Sequence, residues 1–285
     1  MDLSTIIVTY QARGVVLRCL AALADESAGI ETETVVVDND SRDGVQEALR
    51  SAFPEVRLIA NPRNLGFARA VNQGIAATTG ELVLVLNPDC ILERGSIDTL
   101  RRHLEAHPKT GVVGPMLVNG DGSIEYSARS FPDSLTFLFN RYSLLTRLFP
   151  NNRFSRRYLL SDWDHASARD VDWLSGACLL VRRNAIDRVG AMDEAFFLFN
   201  EDVDWCRRMK LAGWAVTYVP AARAVHLIGA SKHRLPARVI LERHRGMAHY
   251  LHKHHPPPLV LGWIADGLIY LRAGLMIVAN AFKAR

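Results

Sequence analysis

Five short runs of β-branched and aliphatic residues, separated by stretches of helical spacing, dominate the first 118 residues. The runs are 4–10 ("STIIVTY"), 32–40 ("TETVVVDND"), 56–62 ("VRLIANP"), 81–89 ("ELVLVLNPD") and 110–118 ("TGVVGPMLV"). They are continuous rather than alternating, as strands buried on both faces are. Residues 14–25, 44–53, 67–78 and 97–107 between them repeat apolar positions at helical intervals. Successive strands joined by single helices predict a doubly wound, mostly parallel α/β sheet.

In such sheets ligands bind at the carboxyl edge of the strands. Here that edge carries Tyr10, residues 38–41 and residues 87–89. A dinucleotide fingerprint would show GxGxxG after the first strand, but "TYQARGVVLRC" holds a single glycine. No GxxxxGK[ST] loop occurs either. The strand ends carry acids instead: Asp38, Asp40 and Asp89. Carboxylates there can accept hydrogen bonds from a base or ribose, or hold a divalent cation that neutralises phosphate.

Beyond residue 120 the alternation stops. An irregular, aromatic and basic stretch with short helices follows. Residues 170–190 then read as a strand and helix, 194–214 as an acidic turn and helix, and 215–231 as a strand and loop. A chain of 285 residues, 49% hydrophobic and 22% charged, has room for one large α/β domain or two smaller ones. A net charge of +4 is too mild to imply nucleic acid. The four cysteines are scattered without a CxxC pair, so neither a zinc knuckle nor a disulfide framework is expected, and reduced thiols in a cytoplasmic compartment are. The first ten residues, with an acid at position 2 and a short apolar run, do not read as a secretory signal.

Taken in order, "IIVTY", "VVVDNDS", "NLGFARAVNQGI", "LVLNPD", "WLSGACLLVRR" and "FNEDVDWCRRMKLAGW" resemble the family-2 inverting glycosyltransferases of the GT-A fold. The likeness is to the bacterial rhamnosyltransferase-like branch and covers roughly residues 1–255. It implies a nucleotide-sugar-binding half at 1–118, an acceptor-binding and catalytic half at 119–231, and C-terminal helices at 232–285. It implies that Thr9, Tyr10, Asp38 and Asp40 border base and ribose, and that Asn64, Gly66 and Asn72 pack beside the nucleotide. Asp89 matches the last acid of the metal-binding Asp-x-Asp, with Asn87 in place of the first. His226 matches a histidine that completes the metal or diphosphate site, the metal being Mg2+ or Mn2+. In the pair Glu201-Asp202 the second acid matches the catalytic base. Trp173, Gly176, Asp204 and Trp205 are the candidates for the sugar or acceptor side. The implied donor is dTDP-rhamnose, with UDP-hexoses as the alternative, and the implied acceptor is a polyprenyl-diphosphate-linked saccharide in cell-wall or surface polysaccharide synthesis.

The chemistry of these residue types supports such roles independently. A diphosphate leaves poorly unless a cation neutralises it, and Asp89 and His226 are suitable oxygen and nitrogen donors. A sugar hydroxyl needs a base as it attacks, and a carboxylate can take that proton. Crowding of Glu201, Asp202 and Asp204 is expected to raise at least one pKa by repulsion. Each position also has a plainer reading: Asp89 as a turn residue, Asp38 as a helix cap, the 201–204 acids as a favoured helix N-terminus, His226 as structural, and the tryptophans as core. A non-catalytic nucleotide-sugar-binding protein and a nucleotidyltransferase are the rival functions. The first need not keep a base, and the second lacks here a glycine-rich basic loop for a triphosphate.

The tail repeats Leu261, Ile264, Leu268, Leu271, Leu275, Val278 and Phe282 at intervals of three and four, one helical face. Asp266 and Arg272 mid-segment count against spanning a bilayer. Interfacial docking at the cytoplasmic membrane face fits better, with Trp263 and Tyr270 at headgroup level and the basic stretch 242–255 meeting anionic lipid or an acceptor diphosphate. The alternative is a helix that covers the catalytic domain or pairs with a second copy of the chain.

Overall fold

A computed structural model describes residues 2–132, 152–227 and 236–282. The alternating first part folds as β1 (Leu3–Thr9), α1 (Arg13–Glu26), β2 (Thr32–Asp38), α2 (Val45–Ala52), β3 (Arg57–Ala60), α3 (Phe67–Ala76) and β4 (Leu82–Leu86). A short β5 (Cys90–Leu92), α4 (Ser96–Ala106) and β6 (Thr110–Asn119) follow. The irregular stretch contributes β7 (Ile124–Glu125), β8 (Ala128–Arg129) and α5 (Arg153–Leu159); its residues 133–151 lie outside those described. Next come β9 (Arg169–Asp170), β10 (Trp173–Leu174), β11 (Cys178–Arg182), α6 (Arg183–Val189), α7 (Glu201–Leu211), β12 (Ala215–His226), α8 (Ala237–His254) and α9 (Leu259–Phe282).

One sheet runs through both halves, in the order β3-β2-β1-β4-β11-β6-β12-β5. The first four strands are parallel, as the helical crossovers require. Two features depart from the simple doubly wound reading. The strand at 178–182 runs antiparallel and inserts between β4 and β6. Three apolar residues after Asp89 form β5, antiparallel to the end of β12. Local periodicity cannot reveal either, because the partner strands are distant in sequence.

Both sheet faces are covered. In β1 and β4, Ile6, Val8, Val83 and Val85 join one apolar cluster, while Leu3, Ile7, Leu84 and Leu86 join the other. That two-sided burial explains the unbroken apolar runs. The four cysteines are free and buried.

In the tail the apolar stripe stays open, while much of the basic stretch before it does not. The stripe of Leu261, Ile264, Leu268, Leu271, Leu275, Val278 and Phe282 is exposed, together with Leu259, Val260 and Trp263. The buried positions of α9 are Gly262, Ile269 and Ala273, and Ile269 packs with Ala248 and Leu251 of α8. The stripe therefore does not cover the catalytic domain. Asp266 is paired with His252 at 2.9 Å. Much of the basic stretch 242–255 also turns inward: Lys253, His249 and His254 contact Asp193 and Asp204 of the body. That share of the charge is not presented to lipid.

Candidate active site

The nucleotide edge is built where β1 and β2 end. Thr9 is wholly buried, and its hydroxyl has no partner among the described residues. Tyr10 beside it is exposed. The Asp38 carboxylate, also buried, accepts from the Ser41 N–H at 3.1 Å and from Gln46 Nε2 at 2.6 Å, so it bridges the loop to α2. Asp40 adopts a left-handed φ of 67° and lies 3.7 Å from Arg42. Asn39, which sequence reasoning passed over, donates to the Gly66 carbonyl and accepts from Asn61, tying β2 to the turn before α3.

The "NLGFARAVNQG" segment is a cradle for another loop, residues 192–197. Asn64 caps its own turn by accepting from the Gly66 N–H. Gly66 has φ 92°, and a Cβ there would lie 2.6 Å from the Phe197 carbonyl oxygen. That oxygen accepts from the Phe67 N–H at 2.7 Å. Asn72 grips Met192 by two hydrogen bonds, donating to its carbonyl and accepting from its N–H. The Asn64 amide oxygen is thus engaged in its own turn, and the Asn72 amide in holding Met192 in the loop that leads into α7.

The candidate metal and base residues are both tied to the edge where β4 ends and β11 begins. The Asn87 N–H donates to the Ala177 carbonyl at 2.8 Å, and the next residue back, Gly176, donates its N–H to Asp202 Oδ2 at 2.9 Å. Asp89 is tied to the other side, where its carbonyl accepts from the Leu227 N–H. Its carboxylate Oδ1 stands 3.3 Å from His226 Nε2. Burial alone would lower the imidazole, but hydrogen bonds to Asp89 and Glu125 outweigh it and hold His226 up at about 9. Among the described residues no three His, Cys, Asp or Glu side chains converge as a metal cluster. Asp89 and His226 supply two donors, one oxygen and one nitrogen. That set fits Mg2+ or Mn2+ bound mainly by phosphate oxygens and water.

Glu201 and Asp202 start α7 after a strained turn: Phe199 and Asn200 both have positive φ, 68° and 70°. Burial raises both carboxyls, and repulsion from Asp202 adds to the rise at Glu201. Asp202 accepts from two backbone N–H groups, Gly176 and Val203, whereas Glu201 Oε2 has no partner among the described residues. Burial thus favours the neutral form at both carboxyls and most at Glu201, while the two N–H donors partly offset it at Asp202. Burial, more than the crowding of acids, is the cause of the rise.

Asp204 behaves oppositely. Burial opposes its charge, but Lys253, Arg208 and His254 outweigh that and lower its pKa. It is wholly buried against Lys253, Arg208 and the His254 ring, so its expected place on the acceptor side is corrected. Trp205 is corrected too: it is fully buried and donates from Nε1 to the Gly190 carbonyl. Trp173 is also buried, donating to Ser130, with the Arg129 guanidinium 5.1 Å above its ring. Arg129 in turn favours the charged form of Asp202. Neither Arg129 nor Glu125 was singled out from the sequence, since nothing local distinguishes them.

Residues 4–189 match the family described as Glycosyl transferase family 2. This chain belongs to that family. An N-acetylglucosaminyl-diphospho-decaprenol L-rhamnosyltransferase of Mycobacterium tuberculosis is 34% identical, spanning 99% of this chain and 95% of that protein. Rhamnosyltransferase WbbL of Escherichia coli K12 is 29% identical across 51% of this chain and 52% of its own length. In three dimensions the chain is similar to mannosyltransferase PcManGT from Pyrobaculum calidifontis, solved in complex with GDP-Man and Mn2+. The TM-score is 0.60 at 18% identity, covering 99% of this chain and 73% of that one. The family-2 glycosyltransferase thus has the GT-A fold, a mostly parallel α/β sheet with C-terminal helices.

Proposed function

We propose that this glycosyltransferase moves rhamnose, with inversion, from dTDP-rhamnose to a polyprenyl-diphosphate-linked saccharide in the synthesis of a surface polysaccharide. The observation that carries the reading is the held carboxylate of Asp202, fixed by the Gly176 N–H on the same strand-end edge as Asp89 and His226. Thr9, Tyr10, Asp38 and Asp40 border the base and ribose at the neighbouring strand ends. Asp202 takes the proton of the acceptor hydroxyl as that oxygen attacks the anomeric carbon, and a burial-raised pKa suits a base. The diphosphate departs from the opposite face, which gives inversion. Asp89 and His226 would hold a Mg2+ or Mn2+ ion, which supplies charge neutralisation to the departing diphosphate.

The same proposal places the enzyme on the cytoplasmic membrane face. Helix α9 has 24 residues and is long and apolar enough to cross a membrane by length and composition, with 17% of its most apolar window buried. Outside α9, the exposed large apolar side chains among the described residues are Tyr10, Ile124, Tyr126 and Leu211. A lipid-linked acceptor would be reached from such a surface.

Asp202→Asn tests the base directly. The amide keeps the shape, so dTDP binding is expected to persist while transfer falls about 10²–10⁴-fold. Near-wild-type turnover, read by product analysis with dTDP-rhamnose and a lipid-linked N-acetylglucosamine acceptor, would remove Asp202 from the mechanism.

A further inference from the structure

Glu125 lies 101 positions before His226 and accepts a hydrogen bond from its Nδ1 at 2.7 Å. All three members of the Asp89–His226–Glu125 row are largely shielded, with side chains 22%, 12% and 13% exposed. The sheet register explains how they meet. Glu125 of β7 pairs with Leu117 of β6, and Leu117 pairs with Ala224 of β12. His226, two residues further along β12, shares the face of Ala224 because side chains alternate with period two. On its other side His226 pairs with Cys90 of β5, the residue after Asp89. The imidazole is thereby held between a carboxylate on each ring nitrogen, one from β7 across the intervening β6 and one from the residue before β5. β7 is a two-residue strand closed by a tight 119–123 turn, in which Asn119 donates to Ser123 and Ser123 donates to Asp121. Its lasting consequence for the site is the position of the Glu125 carboxylate.

We propose that Glu125 is a positioning residue for His226: by accepting the Nδ1 proton it fixes the orientation of the ring, so that Nε2 faces Asp89 and the place where the donor diphosphate and its cation would bind. The proposal rests on the metal reading given above. Carboxylates behind ligating imidazoles commonly act this way, setting ring orientation and raising ligand basicity. Glu125 is not itself a donor to the cation, because it occupies the nitrogen opposite to the one beside Asp89.

The test is Mn2+ binding to the full-length protein in the presence of dTDP, followed by the electron paramagnetic resonance signal of free Mn2+. Glu125→Ala is expected to weaken Mn2+ about 10–100-fold. Glu125→Gln keeps an acceptor oxygen and is expected to lose less. dTDP affinity in excess chelator is expected to stay unchanged in both, which a general loss of fold would not allow. Nitrogen-15 spectra of the imidazole give a second reading: Nδ1 stays protonated in wild type and in the Gln variant but not uniformly in the Ala variant. Wild-type Mn2+ affinity in both variants, beside a weakened His226→Ala control, overturns the role of Glu125. A wild type that binds no Mn2+ with dTDP overturns the metal reading itself and Glu125 with it. If Glu125→Ala fails to fold, the Gln variant decides, and Mn2+ affinity and ring resonances both equal to wild type count against the proposal.

Discussion

Lys253 Nζ lies 2.7 Å from Asp204 Oδ1, two residues past Asp202, the proposed base. The same ammonium is 2.6 Å from Asp193, so one side chain of α8 closes onto both α7 and the loop before it. Asp204 is also held by Arg208 and His254. The C-terminal helices are thus latched to the helix that starts at the active site.

Removal of that latch has a pH signature. Burial opposes the charges of Asp193 and Asp204, yet hydrogen bonds from Lys253 and its neighbours outweigh it and lower both pKa values. A carboxylate with a lowered folded pKa contributes stability that is present above its unfolded value, about 3.9, and lost as pH falls through the folded one. The contribution of these two carboxylates to the unfolding free energy should therefore hold from about pH 7 to 5 and drop below about pH 4. Lys253→Met is expected to cost about 1–3 kcal/mol at pH 7 and to flatten the acid slope, both read by urea denaturation. An unchanged slope would mean that the latch does not set these ionisations.

Gly246 of α8 touches the turn that carries the acids. A Cβ there would lie 2.8 Å from the Phe199 carbonyl oxygen and 2.9 Å from Asn200 Nδ2. Backbone in a left-handed turn yields poorly, so Gly246→Ala should displace the start of α7. Expected is a loss of about 10–100-fold in kcat with dTDP affinity retained, the mark of a misplaced group. Equal kcat in the two proteins would show that the turn absorbs a methyl group.

Glu201 and Asp202 should respond differently to amide substitution. Burial raises the Glu201 carboxyl well above its usual range, so Glu201→Gln replaces a group that favours its neutral form by a neutral amide. Its stability is expected to stay within about 1 kcal/mol of wild type. Its loss of transfer should be far smaller than the about 10²–10⁴-fold expected for Asp202→Asn. The reverse order in steady-state rates would exchange the two roles.

Deletion of residues 257–285 removes the exposed face of α9. The shortened protein is expected to lose sedimentation with anionic liposomes and to transfer poorly to lipid-linked acceptor, while hydrolysing donor in water at nearly the full rate. Full-length protein that never sediments, whatever the lipid charge, would leave α9 as a surface for protein contacts.

Much of this molecule is local chemistry and so could be read from the chain. Buried parallel strands demand unbroken apolar runs, and those of β1, β2 and β4 mark their strands with acids or amides at the ends. The order of the motifs identified the family, and with it Asp202, Asp89 and His226 as the residues of interest. What tertiary structure decided are relations between distant segments. Antiparallel β11 enters between β4 and β6, which sets Gly176 against Asp202 and Asn87 against Ala177. Asn72 and Trp205 look like binding residues by motif but are claimed by a loop and by the core. Asp204 is turned inward by Lys253, which lies 49 residues later. Glu125 reaches His226 only because β7 and β12 flank the same strand. The spacing of the tail stripe could not say which side of α9 would be covered, because packing is a property of the partner surface: α8 took the side of Gly262, Ile269 and Ala273, and left the leucines outside.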